Sequence, residues 1–297
     1  MKAMSPAQRP AVSIVVPCYN GGRFIDQLLA TLAAQTFRDF EIVIVDDGSG
    51  EETRRKLAQL DSSITVLRQP NQGPGAARNT GFRAARADFV LPLDCDDTLE
   101  PNHLEETVAA LRAAPSDVGF VFTHLRAVGA IQRIFPRKFN RFEILFSNKL
   151  PSCILMRKSV WETLGGYDES MRDGYEDWDF NIRMAAAGYR AIEIPKALYV
   201  YRVSDEGMLL SHCSSRHAAI WRSIREKNER LYRLPEILKA WRSARGTQHM
   251  PLPVALGILA LAQLPDRIFT RVMGLYRYGR LFLQGWRDAL RGMQTHP

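Results

Sequence analysis

Strand-like and helix-like runs alternate through the first 125 residues, and that alternation restricts the fold before any motif is read. Residues 12–16 are mostly β-branched and apolar and stop at Pro17, the pattern of a buried strand. Phe24, Ile25, Leu28, Leu29 and Leu32 follow at helical spacing. Further strands are expected over residues 40–45, 64–67, 89–93 and 118–125, and helices through Leu57 and Leu60, over 73–87 and over 101–114. Such alternation predicts an α/β fold: a mostly parallel, Rossmann-like sheet flanked by helices.

Sheets of this kind bind ligands at the carboxyl ends of their strands. The groups expected there are Pro17-Cys18-Tyr19-Asn20, Asp46-Asp47-Gly48-Ser49, Asn71-Gln72-Gly73 and Asp94-Cys95-Asp96-Asp97. Beyond residue 126 the periodicity loosens. A helix is expected over 176–187, strand-like runs over 191–194 and 198–203, and helices from Arg216 onward. Charge divides the chain at the same place. Residues 216–297 hold 15 Lys and Arg against 5 Asp and Glu, leaving 25 against 27 for the rest of a chain whose net charge is +8. We therefore expect an α/β domain carrying the strand-end groups over residues 1–215 and a basic, helical, partly amphipathic region over 216–297.

Three carboxylates close together, at Asp94, Asp96 and Asp97, repel one another unless a cation is present. Mg²⁺ or Mn²⁺ would relieve the repulsion and hold the phosphates of a nucleotide; the alternative is a solvated acidic turn. Asp46 and Asp47 suit a base edge or a ribose, or else a plain turn capped by Ser49. Gly73 opens a helix whose free N–H groups attract anions, and Arg78 on it suits phosphate or the carboxylates. Neither a dinucleotide fingerprint nor a P-loop is present, because Arg78 replaces the third glycine and no G-x-x-x-x-G-K-[ST] occurs. Glu176 and Asp177 begin a helix, where the dipole favours acids. A carboxylate fixed there, Asp177, can take a proton from an acceptor hydroxyl.

In order and spacing these motifs resemble the family 2 glycosyltransferases, which have the GT-A fold. The matching pieces are Pro17-x-Tyr19-Asn20, Gln35-Thr36, Asp46-Asp47-Gly48-Ser49, Asn71-x-Gly73-x-x-x-Ala77-Arg78-Asn79-x-Gly81, Asp94-x-Asp96-Asp97, Gly165-Gly166-Tyr167-Asp168 and Glu176-Asp177-Trp178. The resemblance implies inverting transfer from a nucleoside-diphosphate sugar, UDP-linked, to a saccharide or lipid-linked saccharide in bacterial surface polysaccharide or glycolipid synthesis. It implies a nucleotide-sugar pocket of Pro17, Tyr19, Asn20, Asp46, Asp47, Gly73, Arg78, Asp94, Cys95, Asp96, Glu176 and Trp178. Asp96 would ligate the metal and Asp177 act as base. Trp178 would pack near the sugar or in the core. Some family members add a metal-binding histidine after the base; the candidate is His212, against a surface or packing histidine. A polyprenyl-phosphate sugar transferase and a sugar-phosphate nucleotidyltransferase are the alternative enzymes, and a non-catalytic scaffold is the third.

Residues 251–264 form an apolar run too short to span a bilayer, followed by aromatic and aliphatic residues among Arg267, Arg271, Arg277, Arg280 and Arg287. That mixture describes a helix lying on an anionic membrane surface, or one packed on the catalytic domain or in a homodimer. No nucleic-acid recognition motif accompanies the charge. The cysteines, Cys18, Cys95, Cys153 and Cys213, form no C-x-x-C pair, and residues 1–10 have no apolar leader. A cytoplasmic location, peripheral on the inner membrane face, is expected.

Overall fold

The computed structural model describes residues 9–203, 214–244, 250–265 and 268 of the 297-residue chain. Strands β1 (Val12–Cys18), β2 (Phe40–Asp47), β3 (Thr65–Gln69) and β4 (Phe89–Pro92) form a parallel unit in the order β3-β2-β1-β4. Every residue of β1 is buried, which is why its sequence is apolar on both faces rather than alternating. Helices α1 (Ile25–Ala33), α2 (Glu51–Ala58) and α3 (Pro74–Ala84) connect these strands. The sheet continues through β5 (Thr98–Leu99), β6 (Val118–Gly129), β7 (Arg133–Phe135), β8 (Leu155–Arg157) and β9 (Arg190–Val203). Its full order is β3-β2-β1-β4-β8-β6-β9-β5, with β7 beside β6.

The parallel unit is the part expected from the sequence. Beyond it β8 runs antiparallel to both β4 and β6, and β5 and β7 are antiparallel to their partners. The two expected runs at 191–194 and 198–203 are one strand, β9, parallel to β6. Its register jumps from Ile194 opposite Thr123 to Ala197 opposite His124. Pro195 lies at the jump; it has no N–H for the ladder, which confines it to such an irregularity.

Two apolar layers cover the sheet. Val12, Ile14 and Val16 of β1 pack with Leu28 and Leu32 of α1 and with Leu104, Val108 and Leu111 of α4 (His103–Ala113). Val15, Val43 and Val45 pack on the other face with Ala77 and Phe82 of α3, with α5 (Lys158–Thr163) and with α6 (Glu176–Ala186). Each fully buried aliphatic side chain contributes about 1.5–3 kcal/mol through area removed from water. Gly81 lets α3 approach β1, since a β-carbon there would collide with Val15. A third layer, α7 (Ser214–Lys227), α8 (Leu234–Ser243) and α9 (Leu252–Leu261), packs on the outer side of α6. Trp178 and Ile182 of α6 share that core with Trp221 of α7, Ile237 of α8 and Ala255 and Ile258 of α9. Among the described residues no helix is long and apolar enough to cross a membrane.

Candidate active site

The strand register brings the acidic groups to one end of the sheet. Cys18 lies opposite Asp46 across β1 and β2. Across β1 and β4, Val15 lies opposite Pro92, and Leu93 N–H donates to the Val15 carbonyl at 3.0 Å. Asp94 therefore emerges level with Pro17. The N-terminus of α6 closes the site from the other side.

Asp46 and Asp47 are both buried. Asp46 accepts the Ser49 N–H at 2.9 Å and pairs with Arg68 at 3.2 Å. Asp47 accepts Gln69 Nε2 at 2.8 Å and the N–H groups of Gln72 and Gly73 at 2.9 and 2.8 Å. Gly48 makes this turn at φ 78°, and a β-carbon there would lie 2.7 Å from the Asn71 nitrogen. Gly73 has φ 91° and caps α3. Asn20, at φ 53°, accepts the Gly50 N–H at 2.8 Å and donates its own to Ser49 Oγ at 2.9 Å. These residues shape a floor. Above it Tyr19 is 57% exposed, with its ring free to stack on a planar base.

Arg78 joins the strand end to α6. Its guanidinium donates to Asp94 at 2.7 Å and to Glu176, and Arg78 and Glu176 are both buried. Burial works against the Arg78 charge, but the two carboxylates outweigh it and hold the arginine firmly protonated. Asn79 uses its whole amide. Its Nδ2 donates to the Tyr167 carbonyl and to Glu169, and its Oδ1 accepts from Trp161 Nε1 and the Tyr167 N–H. That anchor ties α3 to the Gly165-Gly166-Tyr167-Asp168 turn preceding α6.

Asp177 sits on the first turn of α6. Asn148 Nδ2 donates to Oδ2 at 3.0 Å and the Trp178 N–H to Oδ1 at 2.8 Å. Burial, then repulsion from Glu176, push its carboxyl up to about 6, against the pull of Arg78. Tyr175 immediately before the helix has φ 62°, a strained conformation for a bulky side chain, and its hydroxyl lies 3.1 Å from His217 Nδ1.

Asp96 is likewise pushed up to about 6, first by burial and then by Asp94. No side chain among the described residues hydrogen-bonds its carboxylate. Asp97 is different. It is buried, its carboxyl is raised by burial and by its two acidic neighbours, and it accepts the Tyr199 hydroxyl and, at 2.8 Å, the Arg202 N–H. Hard carboxylate oxygens at Asp94 and Asp96, one of them unpaired, fit Mg²⁺ or Mn²⁺ with the remaining ligands drawn from phosphate and water. Among the described residues no three His, Cys, Asp or Glu side chains complete a cation cage by themselves. Cys95 faces inward, its thiol beside that of Cys18 and against Gly21.

Trp178 is 2% exposed. Its indole N–H donates to the Ile144 carbonyl at 2.6 Å, and its ring stacks 6.5 Å from Trp221. Of the two readings open from the sequence, the core placement holds, and its side chain has no face for a sugar. His212 lies outside the described residues, as does most of the arginine-rich tail. Asn148, Tyr199 and Arg202 were not singled out as site residues from the sequence. Arg202 Nε donates to the Asp96 carbonyl at 3.1 Å.

A family model described as glycosyl transferase family 2 matches residues 13–165. The Bacillus subtilis (strain 168) glycosyltransferase YwdF is 30% identical over 204 residues, covering 66% of this chain and 75% of that protein. Escherichia coli chondroitin synthase is 29% identical over 188 residues, 60% of this chain but 27% of its own length. Among solved structures, S. aureus TarS 1–349 in complex with UDP-GlcNAc superposes with a TM-score of 0.61 at 22% identity, over 77% of this chain and 69% of that one. The mannosyltransferase PcManGT from Pyrobaculum calidifontis, in complex with GDP-Man and Mn²⁺, gives 0.52 at 22% identity over 90% and 84%. These superpositions agree with the layered sheet in giving the GT-A fold. With the family model covering more than half its length, and with the family's motifs gathered at one end of that sheet, the chain belongs to glycosyl transferase family 2.

Proposed function

We propose that this glycosyltransferase moves a sugar from a nucleoside-diphosphate donor, UDP-linked, to an acceptor hydroxyl with inversion at the anomeric carbon, Asp177 acting as general base. The observation that carries the reading is Asp177 itself, a half-buried carboxylate on the first turn of α6, aimed by Asn148 and the Trp178 N–H, pushed up to about 6 by its surroundings, and next to Glu176, which Arg78 joins to Asp94 at the strand end. A hydroxyl is a poor nucleophile, and a base poised near neutrality accepts its proton most effectively as it attacks. Asn148 and the Trp178 N–H fix the direction of the carboxylate. Arg78 keeps α6 and the Asp94 turn together, so base and leaving group hold their separation. Tyr19 stacks on the base of the nucleotide, and the floor built by Asp46, Asp47 and Asn20 presents it. Asp96 and Asp94 would hold Mn²⁺ or Mg²⁺, which when bound neutralises charge on the departing diphosphate. Arg202 and Arg23 add positive charge near Asp96. The complexes of TarS with UDP-GlcNAc and of PcManGT with GDP-Man and Mn²⁺ support a nucleotide sugar and a divalent ion.

Incubation of the full chain with a panel of nucleotide sugars and Mn²⁺ tests the reading. Release of free nucleoside diphosphate is expected; pyrophosphate release would mean nucleotidyl transfer, and no release from any donor would overturn catalysis. The acceptor is a saccharide or lipid-linked saccharide, reached from a cytoplasmic membrane face to which residues beyond about 250 attach the enzyme. In α9 one face (Ala255, Ile258, with Ala262 just beyond) is committed to the core, while Leu256 and Gly257 are exposed. Anionic vesicles are expected to sediment the full chain at low salt; a protein that stays in the supernatant would make the tail a packing element only.

A further inference from the structure

Between Ala127 and Phe142 stand Arg133, Arg137, Lys138 and Arg141, with no acidic residue among them. Arg137 is set apart from the other three. Arg133 and Lys138 are exposed to water, and Arg141 donates to the Gly188 carbonyl. Arg137 is half-buried, its Nε is shielded from solvent without a hydrogen-bond partner, and it forms no ion pair with any described residue. Its guanidinium is held 5.7 Å from the centroid of Phe135, whose other cationic neighbour, Arg133, stands at 5.6 Å. A ring face orients a cation but is no counter-ion for it.

The surroundings say which side of the site it serves. β7 lies next to β6, with Phe135 opposite Leu125, and Leu125 lies opposite Tyr199 on β9. Burial lowers the proton affinity of Arg137, and of the groups near enough to oppose this, Tyr199 and Tyr201 are neutral hydroxyls and Asp177 is the carboxylate. At the Asp96 end, where the diphosphate belongs, Arg202 and Arg23 already supply positive charge. Arg137 stands instead towards the base that receives the acceptor proton. A desolvated guanidinium with unused donors matches a planar or tetrahedral oxyanion, which it can grip with two hydrogen bonds.

Resting on the glycosyl-transfer reading, we propose that Arg137 binds an anionic group of the acceptor, a carboxylate or phosphate carried near the hydroxyl that Asp177 deprotonates. The acceptor is therefore an acidic saccharide or a phosphorylated polyol or lipid rather than a neutral sugar. Specificity follows from the cost of the alternative, since a neutral acceptor leaves a half-buried guanidinium with its shielded Nε unpaired.

Equilibrium binding by NMR titration, which needs no turnover, tests this with the full chain in UDP and Mn²⁺. The probes are methyl β-D-glucuronide against methyl β-D-glucoside, and glycerol 1-phosphate against glycerol. Wild type is expected to prefer the charged member of at least one pair by about tenfold or more, as for a hydrogen bond to a charged group. The pair that shows it identifies carboxylate or phosphate. Arg137→Gln is expected to bring that ratio within about twofold, and Arg137→Lys to keep part of it, with circular dichroism melting confirming that both variants fold. No preference in wild type, or the same preference in Arg137→Gln, overturns the proposal. Absence of nucleoside diphosphate release from every donor, with the binding preference intact, would instead count against the transfer reading alone.

Discussion

Two sets of acids stand at the same end of the sheet, and they are held in opposite ways. Asp46 and Asp47, the last residues of β2, have their oxygens filled by backbone N–H groups, Gln69 and Arg68. Asp96 and Asp177, after β4 and at the start of α6, have few donors and carboxyls pushed up to about 6. A carboxylate surrounded by N–H groups is a structural bond whose loss leaves donors unpaired. A half-buried carboxylate left short of donors is a cost to folding, maintained where chemistry requires it. The contrast separates the part of the site that is built from the part that reacts. Arg78 pairs with Asp94 and Glu176, the acids beside the reacting set, while Asp177 and Asp96 stay raised.

The largest effect is expected at the reacting set. Asp177→Asn keeps the shape and cannot accept a proton, so transfer should fall by a factor on the order of 10² or more with nucleotide affinity unchanged. In wild type the rate should rise with pH and level off above about 6, where the base is ionised; the variant should lack that limb. The stability effect has the opposite sign. A carboxyl raised above its ordinary value contributes stability below about 4, and that contribution is lost as pH rises through about 6. At pH 8 the variant should therefore be as stable as wild type or more so. Near-normal turnover in Asp177→Asn would remove the base role and favour a phosphate acceptor that needs no base.

The built set should respond the other way. Asp47→Ala leaves the Gln72 and Gly73 N–H groups and the Gln69 amide without their acceptor, at an expected cost of about 1–3 kcal/mol in urea unfolding. An unaltered midpoint would show that water replaces the carboxylate, and the distinction between the two sets would fail at this residue.

How much of this could be read from the sequence depends on the range of the forces involved. Strands β1, β2 and β4 were legible because they are buried and so mostly apolar, as Val12 to Val16 are apart from Ser13, and β3, a largely exposed strand, because it alternates with helices like the others. The positions of Asp94, Asp96 and Asp177 were legible because each directly follows a strand-like run or opens a helix. What each acid touches was not. Asn148 reaches Asp177 from 29 residues away and Tyr199 reaches Asp97 from 102, through β8 and β9, whose antiparallel and bulged pairings have no simple period. Asp46 and Asp47 suit a base edge, a ribose or a plain turn by sequence, yet Asp46 is held by Ser49 and Arg68 and Asp47 by Gln69, Gln72 and Gly73. Trp178 kept two readings because an aromatic at a helix start suits a ligand or a core equally; only the packing of α7 against α6 decides it. The boundary expected at residue 215 falls where the charge changes, but Trp221 and Ile258 pack into the same core as Trp178, so charge and packing divide the chain differently.

The smallest expected effect tests whether the raised acid after β4 belongs with Asp177 or with the built set. Asp96 has no side-chain donor among the described residues, only a backbone N–H, and is repelled by Asp94, so replacing it by Asn removes a repulsion while the amide oxygen can still accept that N–H. At pH 8 Asp96→Asn should be more stable than wild type by about 1 kcal/mol, after allowance for its partial contact with water. Adding Mn²⁺ and UDP should then reverse the order. Wild type should gain about 2.7 kcal/mol at a ligand concentration a hundred times the dissociation constant, while the variant, binding about tenfold more weakly, should gain correspondingly less. Thermal melting of both proteins, with and without Mn²⁺ and UDP, reads all four states. If Asp96→Asn is destabilised without ligand, the acid is a structural partner like Asp47. If it gains as much as wild type from Mn²⁺ and UDP, the divalent ion does not rest on Asp96.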